Sequence, residues 1–209
     1  REVWGEHVHH GYWRSGDERA SEAVDALADL VGARMEPEAG QHLCDIGCGY
    51  GATAARLAAS YNVAVTGLTI SNEQYAHAAQ RTGSVRFLLR DWLHNDLAEQ
   101  SLDGAYAIES TEHMSDKQQC FDEAYCIIKP GGKSVICAWL ASDSARSWEV
   151  RHLLEPICRE GQLPGMGTQG VCRFRRTRWV RAPFFRGYQP SGKADLGHLP
   201  AEAHETARH

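Results

Sequence analysis

The chain has 209 residues, of which 43% are hydrophobic and 23% are charged, and its formal net charge is −5. This composition is ordinary for a globular protein of one domain with a substantial core. The acidic balance disfavours nucleic acid as a partner, and no apolar run approaches the roughly 18 residues that a membrane-spanning helix needs.

The seven cysteines have no regular spacing and form no Cys-x-x-Cys pair. Buried, reduced thiols explain this pattern better than a disulfide framework or a zinc site, so we expect a cytoplasmic protein. The chain begins with Arg1 rather than Met, and its first residues read as the middle of a motif. We therefore expect that a segment precedes Arg1.

Strands and helices alternate along most of the chain. Apolar residues at helical spacing predict a first helix over residues 21–34, which Pro37 and Gly40 end. Short apolar runs predict strands over residues 42–46, 63–68, 85–89, 105–108 and 134–140. Further helices are predicted over residues 52–60, 71–81, 116–128 and 148–159, and the Pro-Gly-Gly run at 130–132 stops the third of these. The order predicts a Rossmann-like α/β fold, with a mainly parallel sheet, helices on both faces and a ligand at the carboxyl ends of the strands.

A glycine-rich turn connects the first strand to the next helix, in the sequence LCDIGCGYGAT over residues 43–53. Glycines let the backbone approach a ligand and take φ values that other residues avoid. A dinucleotide site would need Gly-x-Gly-x-x-Gly and an acidic residue about 20 positions later. Here the third glycine comes one residue early and Thr69 follows the second strand, so the turn disfavours NAD.

This turn resembles motif I of the class I S-adenosylmethionine (SAM) methyltransferases. The resemblance implies SAM as the cofactor and a methyltransferase domain over residues 1–168. It also implies that the residues of the turn contact SAM, namely Asp45, Gly47, Cys48, Gly49 and Gly51.

The segment VTGLTISNEQ, residues 65–74, resembles the Gly-x-Thr-x-Ser-x-x-Gln signature of the γ-tocopherol methyltransferase and cyclopropane-fatty-acid branches. The resemblance assigns Thr69, Ile70, Ser71 and Gln74 to the cofactor, with the Gln amide sharing the grip on the ribose. Ser71 could equally be a plain helix N-cap.

Arg90-Asp91-Trp92 follows the third strand, where the family places an acidic residue on the adenine amino group and an apolar ring beside the base. The resemblance therefore implies that Asp91 accepts a hydrogen bond from the amine and that Trp92 packs against adenine.

The segment IESTEHM, residues 108–114, is similar to γ-tocopherol methyltransferase-like enzymes and to natural-product methyltransferases of plants and bacteria. The resemblance places Glu109 with the cofactor. Methyl transfer needs a group that removes the acceptor proton, and histidine suits that role near neutral pH. His113 is our candidate base, with Glu112 orienting it or contacting the substrate. A structural role for His113, as a helix cap or in the core, stays open.

The N-terminal segment WGEHVHHGYW, residues 4–13, resembles a lid over residues 1–20 that closes over the methionine end of SAM. Tyr12 and Trp13 would supply that lid. His7, His9 and His10 suggest a metal, but no acidic or Cys partner repeats at ligand spacing, so we expect none.

Two departures from the family pattern concern the later part of the chain. Cyclopropane synthases hold bicarbonate with a Glu at the position of Glu112 and with a His on the fifth strand. That strand reads ICAW over residues 136–139 here, which disfavours cyclopropanation. Residues 148–165 resemble a segment that covers a hydrophobic substrate, although a core helix is equally consistent.

Residues 169–209 are rich in Arg, Pro and His and lack apolar periodicity. We expect a divergent, disordered or frame-shifted tail there rather than a functional basic arm. The hairpin that normally closes this sheet is then doubtful, and the free edge of the fifth strand would favour a homo-oligomer.

Together these features predict methyl transfer from SAM to a carbon, oxygen or nitrogen atom of a small aromatic or prenylated natural product. Two alternatives stay open: a small-amine N-methyltransferase of the glycine or sarcosine type, and a SAM-binding protein without catalysis.

Overall fold

The computed structural model describes residues 6–139, 146–149 and 151–152. The strands are β1 (His42–Ile46), β2 (Ala64–Thr69), β3 (Val85–Leu89), β4 (Leu102–Ile108) and β5 (Ile128–Cys137). The helices are α1 (Ala20–Met35), α2 (Ala52–Tyr61), α3 (Asn72–Ala78), α4 (Lys117–Ile127) and α5 (Ser147–Glu149). All strand pairs are parallel, in the order β3-β2-β1-β4-β5. The predicted α/β fold with a parallel sheet is confirmed.

Two hydrophobic clusters, one on each face of the sheet, hold the helices in place. Side chains alternate along a strand, so neighbouring residues enter different clusters. In β4, Tyr106 belongs to the cluster that includes residues of α1 and α2, whereas Ala105 and Ala107 belong to the cluster beneath α4. Burial of both sheet faces explains why the strands read as nearly continuous apolar runs.

The chain order reverses beside β1, which is hydrogen-bonded to β2 on one side and to β4 on the other. In an open parallel sheet, ligands bind outside the carboxyl ends of the strands at such a switch point. The residues that follow β1 and β4 therefore lie side by side, at the edge of the sheet where a ligand is expected.

The bounds of three elements differ from the prediction by three residues or more. β4 begins at Leu102 rather than at residue 105, and α3 ends at Ala78 rather than at residue 81. β5 begins at Ile128, directly after α4, because the Pro-Gly-Gly run forms a bulge inside the strand. Leu102 pairs with Ile128 and Gly104 pairs with Lys133, so the regular register resumes only after the bulge.

Several predictions concern residues that the structure does not describe. The predicted helix over residues 148–159 lies mostly outside the described residues, and the tail over 169–209 lies wholly outside them. The C-terminal hairpin therefore stays a prediction. Among the described helices, none is long and apolar enough to cross a membrane.

The described cysteines are all free thiols, and most are inaccessible. Cys44, Cys48 and Cys120 are buried and Cys137 is partly buried. Cys126 is exposed, so the expectation of burial was wrong there: it lies near the end of α4, on the face that points away from the sheet.

Candidate functional site

The glycine-rich turn runs from the end of β1 to the start of α2 and has an unusual backbone. Gly49 has a φ of 55°, in the left-handed region that favours glycine, and is buried. A Cβ at this position would lie 2.8 Å from Cγ2 of Val8 in the N-terminal segment. The backbone N–H of Cys48 donates to Leu68 O at 2.8 Å, which anchors the turn to β2. Gly47 and Gly51 also have positive φ values, as the motif predicts.

Asp45 is the most unusual charged group of the site. It lies two residues before Gly47, is 3% exposed, and its Oδ2 has no hydrogen-bond partner. Burial raises the pKa of Asp45 to about 7. The neighbouring Tyr106 hydroxyl lowers this pKa in part, but it also lacks a partner at hydrogen-bond geometry. A cationic or hydrogen-bonding ligand group near the turn would therefore meet an unsatisfied buried carboxyl.

The end of β2 brings together the four residues that the second motif singled out. Thr69 is buried, and its hydroxyl donates to Gln74 Oε1 at 2.7 Å, so the amide nitrogen of Gln74 turns away from Thr69. Ser71 caps α3 by accepting a hydrogen bond from the Gln74 backbone N–H at 3.3 Å. Ile70 is 74% exposed, an apolar side chain presented to whatever binds beside the turn.

Asp91 and Trp92 differ in their availability to a ligand. Asp91 is exposed, and its Oδ1 accepts a hydrogen bond from the Leu93 N–H at 2.9 Å, which caps a 3₁₀ turn over Trp92–His94. Trp92 is only 2% exposed, and its indole N–H donates to Cys120 O at 3.0 Å. Its ring therefore fastens this turn to α4, and packing of Trp92 against adenine stays a prediction.

A second 3₁₀ turn, Thr111–His113, follows β4 and carries both predicted catalytic residues. Glu112 is buried, and its Oε1 accepts a hydrogen bond from the Trp139 N–H at 2.7 Å. Burial raises the pKa of Glu112, and the Trp139 N–H offsets this only in part. Glu112 thus ties the turn to the residues after β5. His113 is exposed on the same turn, accessible to an acceptor molecule.

Lys117, the first residue of α4, binds the backbone of this turn. Its ammonium group donates to Thr111 O at 2.8 Å, to Glu112 O at 3.1 Å and to Met114 O. Burial lowers the pKa of Lys117. One side chain therefore binds three carbonyl groups at this turn, although the Thr111 carbonyl also accepts a hydrogen bond from the Met114 N–H at 3.2 Å.

The N-terminal segment, residues 6–10, crosses the glycine-rich turn and the start of α2. His7 Nδ1 and His9 Nε2 lie 3.1 and 3.2 Å from the Thr53 hydroxyl, in the first turn of α2. His7 Nε2 also lies 3.3 Å from Asp25 on α1, and Val8 covers Gly49. Burial lowers the pKa of both His7 and His9. The segment therefore closes over the predicted cofactor site.

The same segment reaches the end of β4 through His10. The backbone N–H and the ring Nδ1 of His10 lie 3.0 and 2.8 Å from one oxygen, Oε2 of Glu109. The imidazole also packs edge-on against Trp139, with ring centroids 4.9 Å apart. This cluster of His10, Glu109 and Trp139 joins three parts of the chain that are distant in sequence.

Tyr12 and Trp13 follow this segment, but their described contacts are with other parts of the chain. Tyr12 packs against the core cluster of α1 and α2, and its N–H donates to Ala23 O at 2.8 Å. The Trp13 indole donates to Glu18 O at 3.2 Å. Residues 6–10 rather than these two rings cover the turn, so contact of Tyr12 or Trp13 with a cofactor stays a prediction. No group of three or more His, Cys, Asp or Glu side chains within the described ranges could hold a metal ion.

Known proteins resemble this chain over most of its length. The model of the mycolic acid cyclopropane synthetase family matches residues 9–175. The 27-O-demethylrifamycin SV methyltransferase of Amycolatopsis mediterranei is 30% identical over 204 residues, which cover 87% of this chain and 75% of that protein. An O-methyltransferase of Penicillium expansum is 39% identical over 150 residues, covering 68% of this chain and 54% of that protein.

The fold also matches a solved structure. The cyclopropane synthase MmaA2 of Mycobacterium tuberculosis has a TM-score of 0.67 and 27% identity, over 79% of this chain and 63% of that one. The chain spans about half the length of several curated relatives that it matches, such as 54% of the Penicillium protein. With the family model matched across the sheet and its loops, the chain belongs to the mycolic acid cyclopropane synthetase family, among the class I SAM-dependent methyltransferases.

Proposed function

We propose that this chain binds SAM and transfers a methyl group to a hydroxyl oxygen of a small aromatic or prenylated natural product. The observation that carries the proposal is the buried carboxyl of Asp45, whose Oδ2 has no partner at the start of the glycine-rich turn. The O-methyltransferase of Penicillium expansum supports oxygen as the acceptor atom. The rifamycin relative supports a natural-product substrate.

The residues around the turn fit SAM. Its methionine end carries an amino group, which would satisfy the carboxyl of Asp45. Gly49 presents backbone without a side chain, and a Cβ there would clash with Val8 of the segment that crosses the turn. The Thr69 hydroxyl donates to the amide oxygen of Gln74, so the amide N–H groups of Gln74 would be the ones to hydrogen-bond a ribose hydroxyl. Ile70 and Asp91, both exposed, would contact the adenine ring and its amino group.

SAM, when bound, supplies an electrophilic methyl group on a sulfonium leaving group. The protein then has to hold the acceptor oxygen close to that methyl group and to accept the hydroxyl proton. Two exposed histidines lie near the carboxyl edge of the sheet, His113 on the 3₁₀ turn after β4 and His10 beside Trp139. Glu112, whose two oxygens face Trp139 N–H and the Thr111 hydroxyl, would position that turn.

Two other activities receive less support. Cyclopropanation would need the fifth-strand histidine, but Cys137 ends β5 and no histidine follows through residue 139. A small-amine N-methyltransferase would need cationic groups for the substrate carboxylate, and the sequence over residues 136–140 is apolar. A SAM-binding protein without catalysis would keep the Asp45 site and lack turnover.

Calorimetric titration with SAM, followed by detection of S-adenosylhomocysteine with phenols, chromanols, glycine and sarcosine, tests the proposal. We expect SAM binding and turnover with the hydroxyl compounds. His113→Ala should leave SAM affinity within about threefold. The control variant Gln118→Ala, on the exposed face of α4, should do the same. Turnover only with glycine or sarcosine, or binding without any turnover, would contradict the proposed function.

A further inference from the structure

His10 and Glu109 form a carboxylate–imidazole pair at the carboxyl end of β4. The Glu109 side chain is only 12% exposed and the His10 side chain is 51% exposed, so the carboxylate is sheltered and the ring reaches toward solvent. Glu109 has a φ of 50°, and its N–H donates to Cys137 O at 2.8 Å. The backbone therefore fixes the carboxylate between β4 and β5.

The pairing decides which ring nitrogen of His10 carries the proton. Nδ1 lies 2.8 Å from a carboxylate oxygen, which can only accept, so Nδ1 must donate. In the neutral ring the lone pair is then on Nε2. A sheltered carboxylate that holds the tautomer and stabilises the imidazolium makes a histidine a more effective base.

The surroundings of the ring suit a small, partly aromatic acceptor. Trp139 is 45% exposed and lies edge-on to the imidazole. Glu112 fixes the backbone of Trp139 by accepting a hydrogen bond from the Trp139 N–H. An acceptor that packs on this indole would therefore have its hydroxyl group close to His10.

We propose that His10 is the general base of the reaction and that Glu109 positions it. This inference rests on the proposed function. The acceptor oxygen forms its bond to the methyl carbon while the carbon–sulfur bond breaks and leaves its electron pair on sulfur. The hydroxyl proton passes to Nε2 of His10, and the imidazolium remains paired with the Glu109 carboxylate until the proton leaves to water.

This assignment differs from the one that the sequence motif suggests. His113 follows the motif, but among the described residues no carboxylate lies at ion-pair distance from its ring. His10 has such a partner at 2.8 Å, on a residue that is fixed by the sheet. The two histidines can therefore be separated by experiment.

His10→Asn is the decisive variant, because the Asn amide can replace Nδ1 as a donor to Glu109 but cannot accept a proton. We expect SAM affinity within about threefold of wild type and turnover lowered by about 10²–10⁴-fold. In His10→Ala, added imidazole should restore part of the turnover. Normal turnover in His10→Asn, or a large loss confined to His113→Ala, would overturn the proposal. A loss of SAM affinity that accounts for the whole loss of turnover would assign His10 a structural role, and would overturn it too.

The tautomer gives a second readout that does not need turnover. In ¹⁵N correlation spectra of histidine-labelled wild-type protein, neutral His10 should be protonated at Nδ1. In Glu109→Ala, a larger fraction of neutral His10 should be protonated at Nε2. A wild-type ring protonated at Nε2 would overturn the dyad. A wild-type protein that binds SAM, shows the Nδ1 tautomer and methylates nothing would instead contradict the proposed function.

Discussion

Asp45→Asn is the perturbation that most directly exposes how the cofactor site works. The substitution keeps the shape of the side chain but removes its charge. In the wild type, burial raises the pKa of Asp45 from 3.8 to about 7. Ionisation therefore opposes folding, and its cost grows as pH rises from about 4 to about 7 and is complete above that range.

The magnitude follows from the pKa values. At about 1.4 kcal/mol for each tenfold change, a rise from 3.8 to about 7 corresponds to about 4 kcal/mol. This is the largest free energy of unfolding that Asp45→Asn should recover at pH 8, and at pH 4 the substitution should recover almost none. A cationic amino group of SAM would favour the ionised carboxylate, so SAM affinity of the wild type should rise by up to about tenfold per pH unit between pH 5 and 7.

Urea unfolding at pH 4 and 8 measures the first effect, and calorimetric titration with SAM at pH 5, 6 and 7 measures the second. Asp45→Asn should bind SAM more weakly at pH 7 and should lose the pH dependence of binding. Asp122→Asn, an exposed residue of α4, is the matched control and should change neither quantity. Wild-type affinity and an unchanged pH dependence in Asp45→Asn would refute the reasoning, because the carboxyl would then not contact the cofactor.

Three further predictions follow from the other contacts of the site. Gly49→Val should abolish SAM binding in calorimetry, because the left-handed backbone costs about 1–3 kcal/mol with a branched residue and the side chain would meet Val8; a folded variant with normal affinity would contradict this. Lys117→Met should lower turnover but not SAM affinity, because the turn loses the ammonium group that binds three of its carbonyls, and Lys117→Arg should retain more turnover than Lys117→Met. As pH falls below about 6.5, protonation of His7 and His9, whose pKa values burial lowers, should loosen the N-terminal segment; amide protection factors of residues 6–10, corrected for the intrinsic pH dependence of exchange, that are equal at pH 5 and pH 7.5 would contradict this.

The parts of the structure that depend on local sequence could be predicted. β1, the glycine-rich turn and α2 follow from a short apolar run, three glycines and an apolar helical pattern. The N-cap at Ser71 follows from its residue type at a helix start. The bulge in β5 was missed because Pro-Gly-Gly usually ends an element, whereas here the neighbouring strand continues the pairing past it.

The contacts that join distant parts of the chain could not be predicted. His10 and Glu109 are 99 positions apart, and nothing in either local pattern indicates that they meet. For the histidines of the N-terminal segment, the sequence raised a metal site that we did not expect, and nothing in their spacing indicates that His7 and His9 meet Thr53. The resemblance suggests only that Trp92 packs beside adenine, and nothing near it in sequence indicates that its indole N–H donates to Cys120 of α4, 28 positions later.

Transfer of a ¹³C-labelled methyl group tests the central claim most directly. The protein is incubated with methyl-labelled SAM and the hydroxyl and amine acceptors, and the products are examined by carbon NMR. The account predicts a labelled methyl carbon bonded to oxygen in a phenol or chromanol product. A label found only on nitrogen or carbon, or SAM that binds and transfers no label to any acceptor, would contradict it.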